Sequence, residues 1–110
     1  MGAAKYDRLI DLMRATTAED AAGQPIETFV LLKRVPANAR AISDGERLQG
    51  GGIMSSVNMR FQIRWSTDIS DLDTRDRVHY DDRIYDIAGV KEIGRRKELE
   101  ITAAARSERV

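Results

Sequence analysis

The stretch VNMRFQIRW, from Val57 to Trp65, decides the fold. Apolar side chains occupy every odd position of this stretch and polar side chains every even position. Successive side chains of a strand point to opposite faces, so this alternation predicts a half-buried β-strand. Arg60 and Arg64 are expected on its outer face.

Four more runs outside this stretch are rich in strand-forming residues. They span Glu27 to Val35, Arg77 to Tyr80, Arg83 to Val90 and Glu98 to Ala103. Asp81 and Asp82 separate the second run from the third, which predicts a hairpin with a two-residue turn. Pro36 is expected to end or bulge the first run as an edge strand.

No helical pattern alternates with these runs. A parallel sheet, whose strands are usually joined by helices, is therefore not expected. The sequence therefore predicts an all-β fold, a small antiparallel barrel or sandwich of five to six strands with one long loop. With 110 residues, a single domain over residues 1–110 is expected.

The remaining segments carry weaker patterns. Tyr6 to Ala15 fits both a helical face and a strand, and propensity favours the helix. Thr16 to Pro25 predicts a turn or loop, and Asp71 to Arg75 a single helical turn. The tail from Ala104 to Val110 shows no pattern and is expected to be loose.

A long loop is predicted around residues 42–56. Its centre is GERLQGGG, and three consecutive glycines are costly to hold in a regular element. Loops of this length in a compact domain are usually functional or disordered. The glycines most simply give slack, and in the functional interpretation a mobile loop reaches a partner or a channel. The candidate residues are Asp44, Gly45, Glu46, Arg47, Gly50, Gly51 and Gly52.

The composition excludes several classes of site. The chain has no cysteine, so disulfides and thiolate metal sites are excluded and a reducing cytoplasm is compatible. Eighteen basic residues balance eighteen acidic ones, which disfavours a general nucleic-acid-binding surface. No apolar run reaches the roughly 20 residues that a membrane span needs, so no membrane partner is expected.

A search for catalytic chemistry finds no catalytic residue, metal site or cofactor, so the chain is not expected to be an enzyme. His79 is the only histidine, and no serine nucleophile motif accompanies it. The aspartates between Asp71 and Asp82 do not fit a calcium loop, and ion pairs with Arg75, Arg77 and Arg83 are the better interpretation. The glycines match no phosphate-binding motif.

Two sets of basic residues remain candidates for a protein interface or for contact with DNA. The sets are Arg60 with Arg64, and Arg95, Arg96 and Lys97 with Lys91. A small β-barrel that binds nucleic acid is the alternative function, but it would need exposed aromatic side chains for base stacking. Phe61, Trp65 and Tyr85 share the apolar phase of their strands and are expected to face the core.

The order of the short motifs resembles that of tailed-phage head–tail joining proteins, also called head-closure or stopper proteins, including those of phage-derived gene transfer particles. The matching elements are Glu19 to Gly23 before Glu27-Thr28-Phe29, Gly45-Glu46 in the loop, Ile63-Arg64-Trp65, the connection from Asp68 to Arg77, Tyr80 to Ile87 as Y-x-x-R-x-Y-x-I, and Arg96 before Leu99 to Ala103. The family often has Trp at the position of Phe29 and Gly at that of Asp82.

The resemblance implies that Leu9 to Ala15 is a strand rather than a helix. It also implies a structural neck component, a homo-oligomeric ring of six-fold or twelve-fold symmetry between the portal or adaptor and the tail. Such a ring would close the DNA exit and dock the tail-terminator or other tail proteins, with packaged double-stranded DNA in its channel. The resemblance places the protein in the neck of a virion or phage-like particle that is assembled in the bacterial cytoplasm.

Overall fold

The computed structural model describes residues 5–42, 47–49, 52–54 and 58–109, and most of them lie in β-strands. The strands are β1 (Arg8–Glu19), β2 (Pro25–Ile42), β3 (Arg47–Gln49), β4 (Gly52–Met54), β5 (Asn58–Arg64), β6 (Arg77–Tyr80), β7 (Arg83–Ile93) and β8 (Glu98–Arg109). A 3-10 turn spans Thr67–Ile69. None of the described helical residues forms a segment long and apolar enough to cross a membrane.

Six of the strands close into an antiparallel barrel in the order β1-β2-β5-β8-β7-β6. The ring is completed where Asp11, Leu12 and Met13 of β1 pair with His79, Val78 and Arg77 of β6. The prediction of an all-β antiparallel fold is therefore confirmed.

The core lies inside this barrel, and β5 shows most directly how the sequence builds it. Met59, Phe61 and Ile63 are buried, whereas Arg64 at the end of the strand is exposed. The Phe61 ring meets the rings of Tyr80 and Tyr85 edge-on, each with centroids 5.5 Å apart. Trp65 lies just beyond β5 and packs half-buried against the core.

The barrel has two ends. The β2–β5 connection and the β6–β7 turn lie at one, which we call the loop end. At the other, the arm end, lie the last residue of β5, the β7–β8 turn and the distal parts of β1 and β2.

Ile69 and Leu72, from the connection between β5 and β6, are buried in the core cluster.

The helix favoured by propensity at Tyr6 to Ala15 is wrong, and the strand implied by the family resemblance is confirmed. β1 continues to Glu19, beyond the predicted loop boundary at Thr16, because it pairs with β2 down to Glu19↔Pro25. The turn is therefore shorter than predicted and covers residues 20–24 only. Long-range pairing overrides a helix propensity of a few tenths of a kcal/mol per residue.

Pro36 does not interrupt or end its strand, since β2 runs through it to Ile42, but it lies where β2 is paired on one side only, as the edge-strand alternative predicted. Pro36 is paired with Leu9 of β1, whereas pairing with β5 begins only at Ala37. At Pro36 one side of β2 therefore has no neighbouring strand, and a proline can occupy this position without interrupting ladders on both sides.

Part of the predicted loop is regular. β3 and β4 form a short hairpin in which Gln49 pairs with Gly52, so Gly52 lies in a strand. Arg47 likewise lies in β3, paired with Met54. The other candidate loop residues, Asp44, Gly45, Glu46, Gly50 and Gly51, lie outside the described residues.

Two further boundaries differ from the prediction. The helical turn is at Thr67–Ile69 rather than at Asp71 to Arg75. The tail expected to be loose continues β8 to Arg109, because its backbone pairs with β7 as far as Arg83↔Arg109.

The predicted hairpin around Asp81 and Asp82 is present. β6 and β7 meet at Tyr80↔Arg83, and both aspartates have left-handed backbone conformations, with φ of 53° and 63°. Two consecutive positive φ values are typical of the tight turn whose twist matches that of the flanking strands.

Candidate assembly surfaces

The distal parts of β1 and β2 form a hairpin that pairs with no other strand among the described residues. We call residues 14–30 the arm. Pairing of β1 with β6 stops at Met13, and pairing of β2 with β5 begins at Ala37, whereas β1 and β2 pair with each other to the tip. Within the described part of the chain, the arm thus has two unpaired strand edges.

The arm carries exposed apolar side chains. Ile26 and Val30 are 41% and 50% exposed and lie on the same face, and Leu31 at the base is 55% exposed. Unpaired edges with exposed apolar side chains tend to bind further strands or protein surfaces. None of these residues was among the candidates from the sequence. The available signals were the run Ile26-Glu27-Thr28-Phe29-Val30, which places apolar residues on both faces of a strand, and the absence of any lysine or arginine from residue 15 to residue 32.

An ion-pair network fixes the base of the arm to the connection before β6. Arg14 donates to both oxygens of Asp71, at 3.0 and 3.1 Å, and to both oxygens of Asp76, at 3.2 and 3.4 Å. Asp76 is only 4% exposed, the one buried charged residue among those described. It also accepts the backbone N–H of Asp73 at 3.1 Å. These bonds hold the arm at a defined angle to the barrel.

The protonation of this network follows from its hydrogen bonds. The hydrogen bonds that Arg14 donates lower the pKa of Asp71, and its bonds to Asp71 and then to Asp76 raise the pKa of Arg14. A surface cleft of about 380 Å³ opens beside these residues and is lined also by Thr16, Glu27 and Arg75. The sequence had assigned the aspartates local arginine partners, and the structure shows Arg75 bonded to Asp73 but a distant residue, Arg14, on Asp71 and Asp76.

Two more contacts support the arm. The Arg77 guanidinium lies 3.9 Å from the centroid of the Phe29 ring. Lys33 bonds to Asp68 at 2.8 Å, and this hydrogen bond lowers the pKa of Asp68. The Arg77 contact lies on the arm itself, whereas the Lys33 bond holds the part of β2 just beyond it.

A basic turn, residues 91–97, lies at the arm end on the opposite wall of the barrel. In the strand order, β7 and β8 are separated from β1 and β2 by β5 on one side and β6 on the other. The turn contains Lys91, Arg95, Arg96 and Lys97, all exposed, with a single acidic residue, Glu92. Glu92 accepts the backbone N–H of Arg96, which has a left-handed φ of 57°.

The candidate residue Arg64 lies near this turn and Arg60 does not. The backbone N–H of Trp65 donates to the carbonyl of Lys97 at 3.0 Å, and the Arg96 guanidinium lies 5.4 Å from the Trp65 ring centroid. Arg64 covers the Tyr6 ring at 4.8 Å. Arg60 lies closer to the loop end, paired with Arg40 of β2, and its Nε is 3.7 Å from Glu100.

The segment before β1 is anchored at the same end. Tyr6 donates a hydrogen bond to Glu98, and Lys5 forms an ion pair with the same carboxylate at 2.7 Å. The hydrogen bonds from Lys5 and then Tyr6 lower the pKa of Glu98.

His79 lies in a shallow cleft of about 260 Å³ with Asp11, Arg34 and Tyr80. Burial lowers its pKa. The cleft lining contains neither serine nor threonine, and Asp11 is bonded to Arg34 at 2.6 Å. His79 therefore has an acidic neighbour but no nucleophile to activate in this cleft. Among the described residues no group of three or more potential metal ligands comes together.

The aromatic side chains lie largely as predicted. Phe61 and Tyr85 are 0% and 3% exposed, and Arg96 lies over the half-buried Trp65. Base stacking needs open ring faces, which these three residues do not offer together.

Comparison with known proteins identifies the family of this chain. The family model described as phage head completion protein matches residues 1–106. The chain belongs to the phage head completion protein family.

Individual relatives agree with this assignment. The chain is 27% identical over 66 residues to head completion protein gp7 of Enterobacteria phage HK97, a match that covers 60% of this chain and 59% of that protein. The matched stretch thus spans less than two thirds of that relative.

Two solved structures share the fold with a TM-score of 0.70 each. A chain in the virion of a native gene transfer agent particle is 24% identical, with 93% of this chain and 96% of that chain covered. Protein SF1141 of Shigella flexneri 2a is 19% identical, with 99% and 100% covered. The barrel of this head completion protein is therefore an architecture found in at least one assembled particle.

Proposed function

We propose that the chain forms a homo-oligomeric ring in the neck of a tailed phage or phage-like particle, between the portal or adaptor and the tail. The observation that carries this proposal is the match to the head completion family over residues 1–106. In this role the ring closes the DNA exit after packaging and provides the surface on which the tail docks. It is assembled in the bacterial cytoplasm with the rest of the particle.

The shape of the subunit supports a ring. A ring contact joins one face of a subunit to a different face of its neighbour, so the two faces need different and complementary properties. The arm and the basic turn lie on opposite walls of the barrel. The equal totals of basic and acidic residues are compatible with complementarity of this kind.

The segment between β2 and β5 is the part that we assign to the channel. It leaves and re-enters the barrel at the loop end, between Ile42 and Asn58. A ring of such segments could be the barrier that holds packaged DNA, with the triple glycine allowing it to change conformation. In that position Arg47 would meet a DNA phosphate or a carboxylate of a neighbouring ring.

Deletion of Gly50 to Gly52 tests this assignment in cells that make the particle. We expect the barrel to fold normally but the particles to lose DNA or to remain without tails. Replacement of the same three glycines by serines keeps the length of the segment and serves as the control. Normal particle yield, DNA content and infectivity after the deletion would sink the assignment of this segment to the exit.

The alternative of a nucleic-acid-binding barrel has less support, because the aromatic rings are buried or covered. It requires the isolated domain to bind DNA clearly at moderate salt, whereas a ring subunit that meets DNA only in the assembled channel needs no such affinity. A filter-binding titration with double-stranded and single-stranded DNA separates the two functions.

A further inference from the structure

The arm carries acidic and apolar side chains that are exposed to solvent in its own subunit. From residue 15 to residue 32 the chain has three carboxylates, Glu19, Asp20 and Glu27, and no lysine or arginine. Asp20 caps the turn by accepting the N–H groups of Ala22 and Gln24, each at 2.9 Å. Glu19 and Glu27 remain exposed and project from the face of the arm opposite to Ile26 and Val30.

The basic turn offers the complementary surface. It carries four exposed cations against one acidic residue, and that residue, Glu92, already accepts the backbone N–H of Arg96. Complementary charges on two surfaces favour their association and fix its register.

The topology prevents the two surfaces from meeting within one subunit. Both lie at the arm end, but on opposite walls of the barrel, and the ion pairs of Arg14 hold the arm in its direction. An arm reaching outward from one subunit can therefore meet the basic turn of another. Repetition of this contact between unlike faces generates a ring if the rotation closes.

We propose that the arm of each subunit docks onto the basic turn of the next copy of this chain, and that this contact closes the ring. The inference rests on the proposed neck function and names the contact that builds it. It assigns the unpaired, partly apolar strands of the arm to a neighbour of the same chain rather than to the portal or the tail.

The absence of cysteine from the chain allows a direct test. Particles are made with a chain that carries Glu27→Cys in the arm and Arg95→Cys in the basic turn, and they are then oxidised. Each arm thiol should couple to the turn thiol of the next subunit, which gives a ladder of covalent multimers up to the full ring. Each single variant should remain monomeric, because unlike faces meet.

A matched control combines Glu27→Cys with Arg40→Cys, an exposed β2 residue toward the loop end, and should give no ladder. A second variant pair, Glu27→Arg with Arg95→Glu, should restore the assembly that each reversal alone impairs. If the double-cysteine chain is present at the neck but gives no ladder, or if the control pair gives the same ladder, the docking contact is wrong while the neck function stands. If the chain is absent from purified particles, the neck function itself is wrong and the contact with it.

Discussion

In the barrel part of β1, Ile10 and Leu12 are 1% and 0% exposed, whereas in the arm part of β2, Ile26 and Val30 are 41% and 50% exposed. The same pair of strands thus buries its apolar side chains at one end and presents them to solvent at the other. In the barrel, six strands surround these side chains, while the arm has only its own two strands.

The barrel and the arm therefore have different roles. Burial of apolar surface is the main source of folding stability, so the barrel stabilises the subunit. The apolar side chains of the arm contribute little to the isolated chain, because they remain in contact with water. They would gain their burial energy only in an assembly, which is the physical reason to assign the arm to a partner. Substitutions in the barrel and in the arm should therefore affect stability to different extents.

The largest effect is expected from the two phenylalanines, which give a matched pair. Phe61→Ala should lower the free energy of unfolding by about 3–5 kcal/mol, because it empties the centre of the core. Phe29→Ala in the arm should cost about 1 kcal/mol or less, since it removes mainly the contact with Arg77. Urea denaturation of the two variants measures both values. Equal losses would show that the arm belongs to the folding core and would remove the distinction drawn above.

The next effect concerns the connection between the two regions. Arg14→Ala should lower the free energy of unfolding by about 1–3 kcal/mol, because the buried Asp76 carboxylate loses its cation and two hydrogen bonds. Arg75→Ala is the control, since its side chain is 83% exposed and pairs only with Asp73, and it should change stability by less than about 0.5 kcal/mol. A loss for Arg14→Ala no greater than for Arg75→Ala argues against the network as the support of the arm.

A smaller effect is expected from acid. The folded-state pKa of Glu98 is lowered, so its contribution to stability is present above the ordinary value of 4.5 and is lost as the pH falls through the folded-state value. Glu98→Gln should therefore be less stable than the parent chain at neutral pH, by about 1 kcal/mol at most, and the difference should shrink toward pH 3. Urea midpoints measured between pH 3 and 7 give this difference. A constant difference over that range contradicts the assigned ion pair.

The smallest effect concerns the tight turn of the barrel hairpin. Asp82 has a left-handed φ of 63°, a conformation that glycine adopts without steric cost. Asp82→Gly should raise the free energy of unfolding by about 0.5 kcal/mol at most, and Asp82→Ala should lower it by about 1 kcal/mol. Thermal unfolding of the two variants ranks them, and the reverse order contradicts the turn geometry.

The barrel was largely predictable from the sequence, and the arm was not. Strict alternation at β5 and the acidic turn at Asp81 and Asp82 are local signals, and the structure follows both. The length of β1 and β2 depends on pairing between residues far apart, such as Thr16 with Thr28, which no local pattern reports. The continuation of β8 to Arg109 has the same cause, since backbone pairing with β7 needs no apolar alternation.

The same distinction holds for the candidate surfaces: residues adjacent in the sequence were predictable, and contacts between distant residues were not. The basic residues at positions 95–97 are visible as a run in the sequence, and the structure places them in one exposed turn. The partnership of Arg14 with Asp71 and Asp76 joins residues more than fifty positions apart, and only the folded chain brings them together. For the arm, the sequence signals were a segment without lysine or arginine between residues 15 and 32 and the apolar residues of Ile26 to Val30, and their meaning depends on the hairpin geometry.

The central claim is that this head completion protein forms a ring in which each arm rests on the next subunit. Cryo-electron microscopy of purified particles, with symmetry applied at the neck, tests it most directly. The account predicts a ring of six-stranded barrels between portal and tail, with each arm against the 91–97 turn of its neighbour and the loop ends directed toward the channel. A neck map that lacks this barrel, or that shows it with the arms extending free of the neighbouring subunits, would contradict the account.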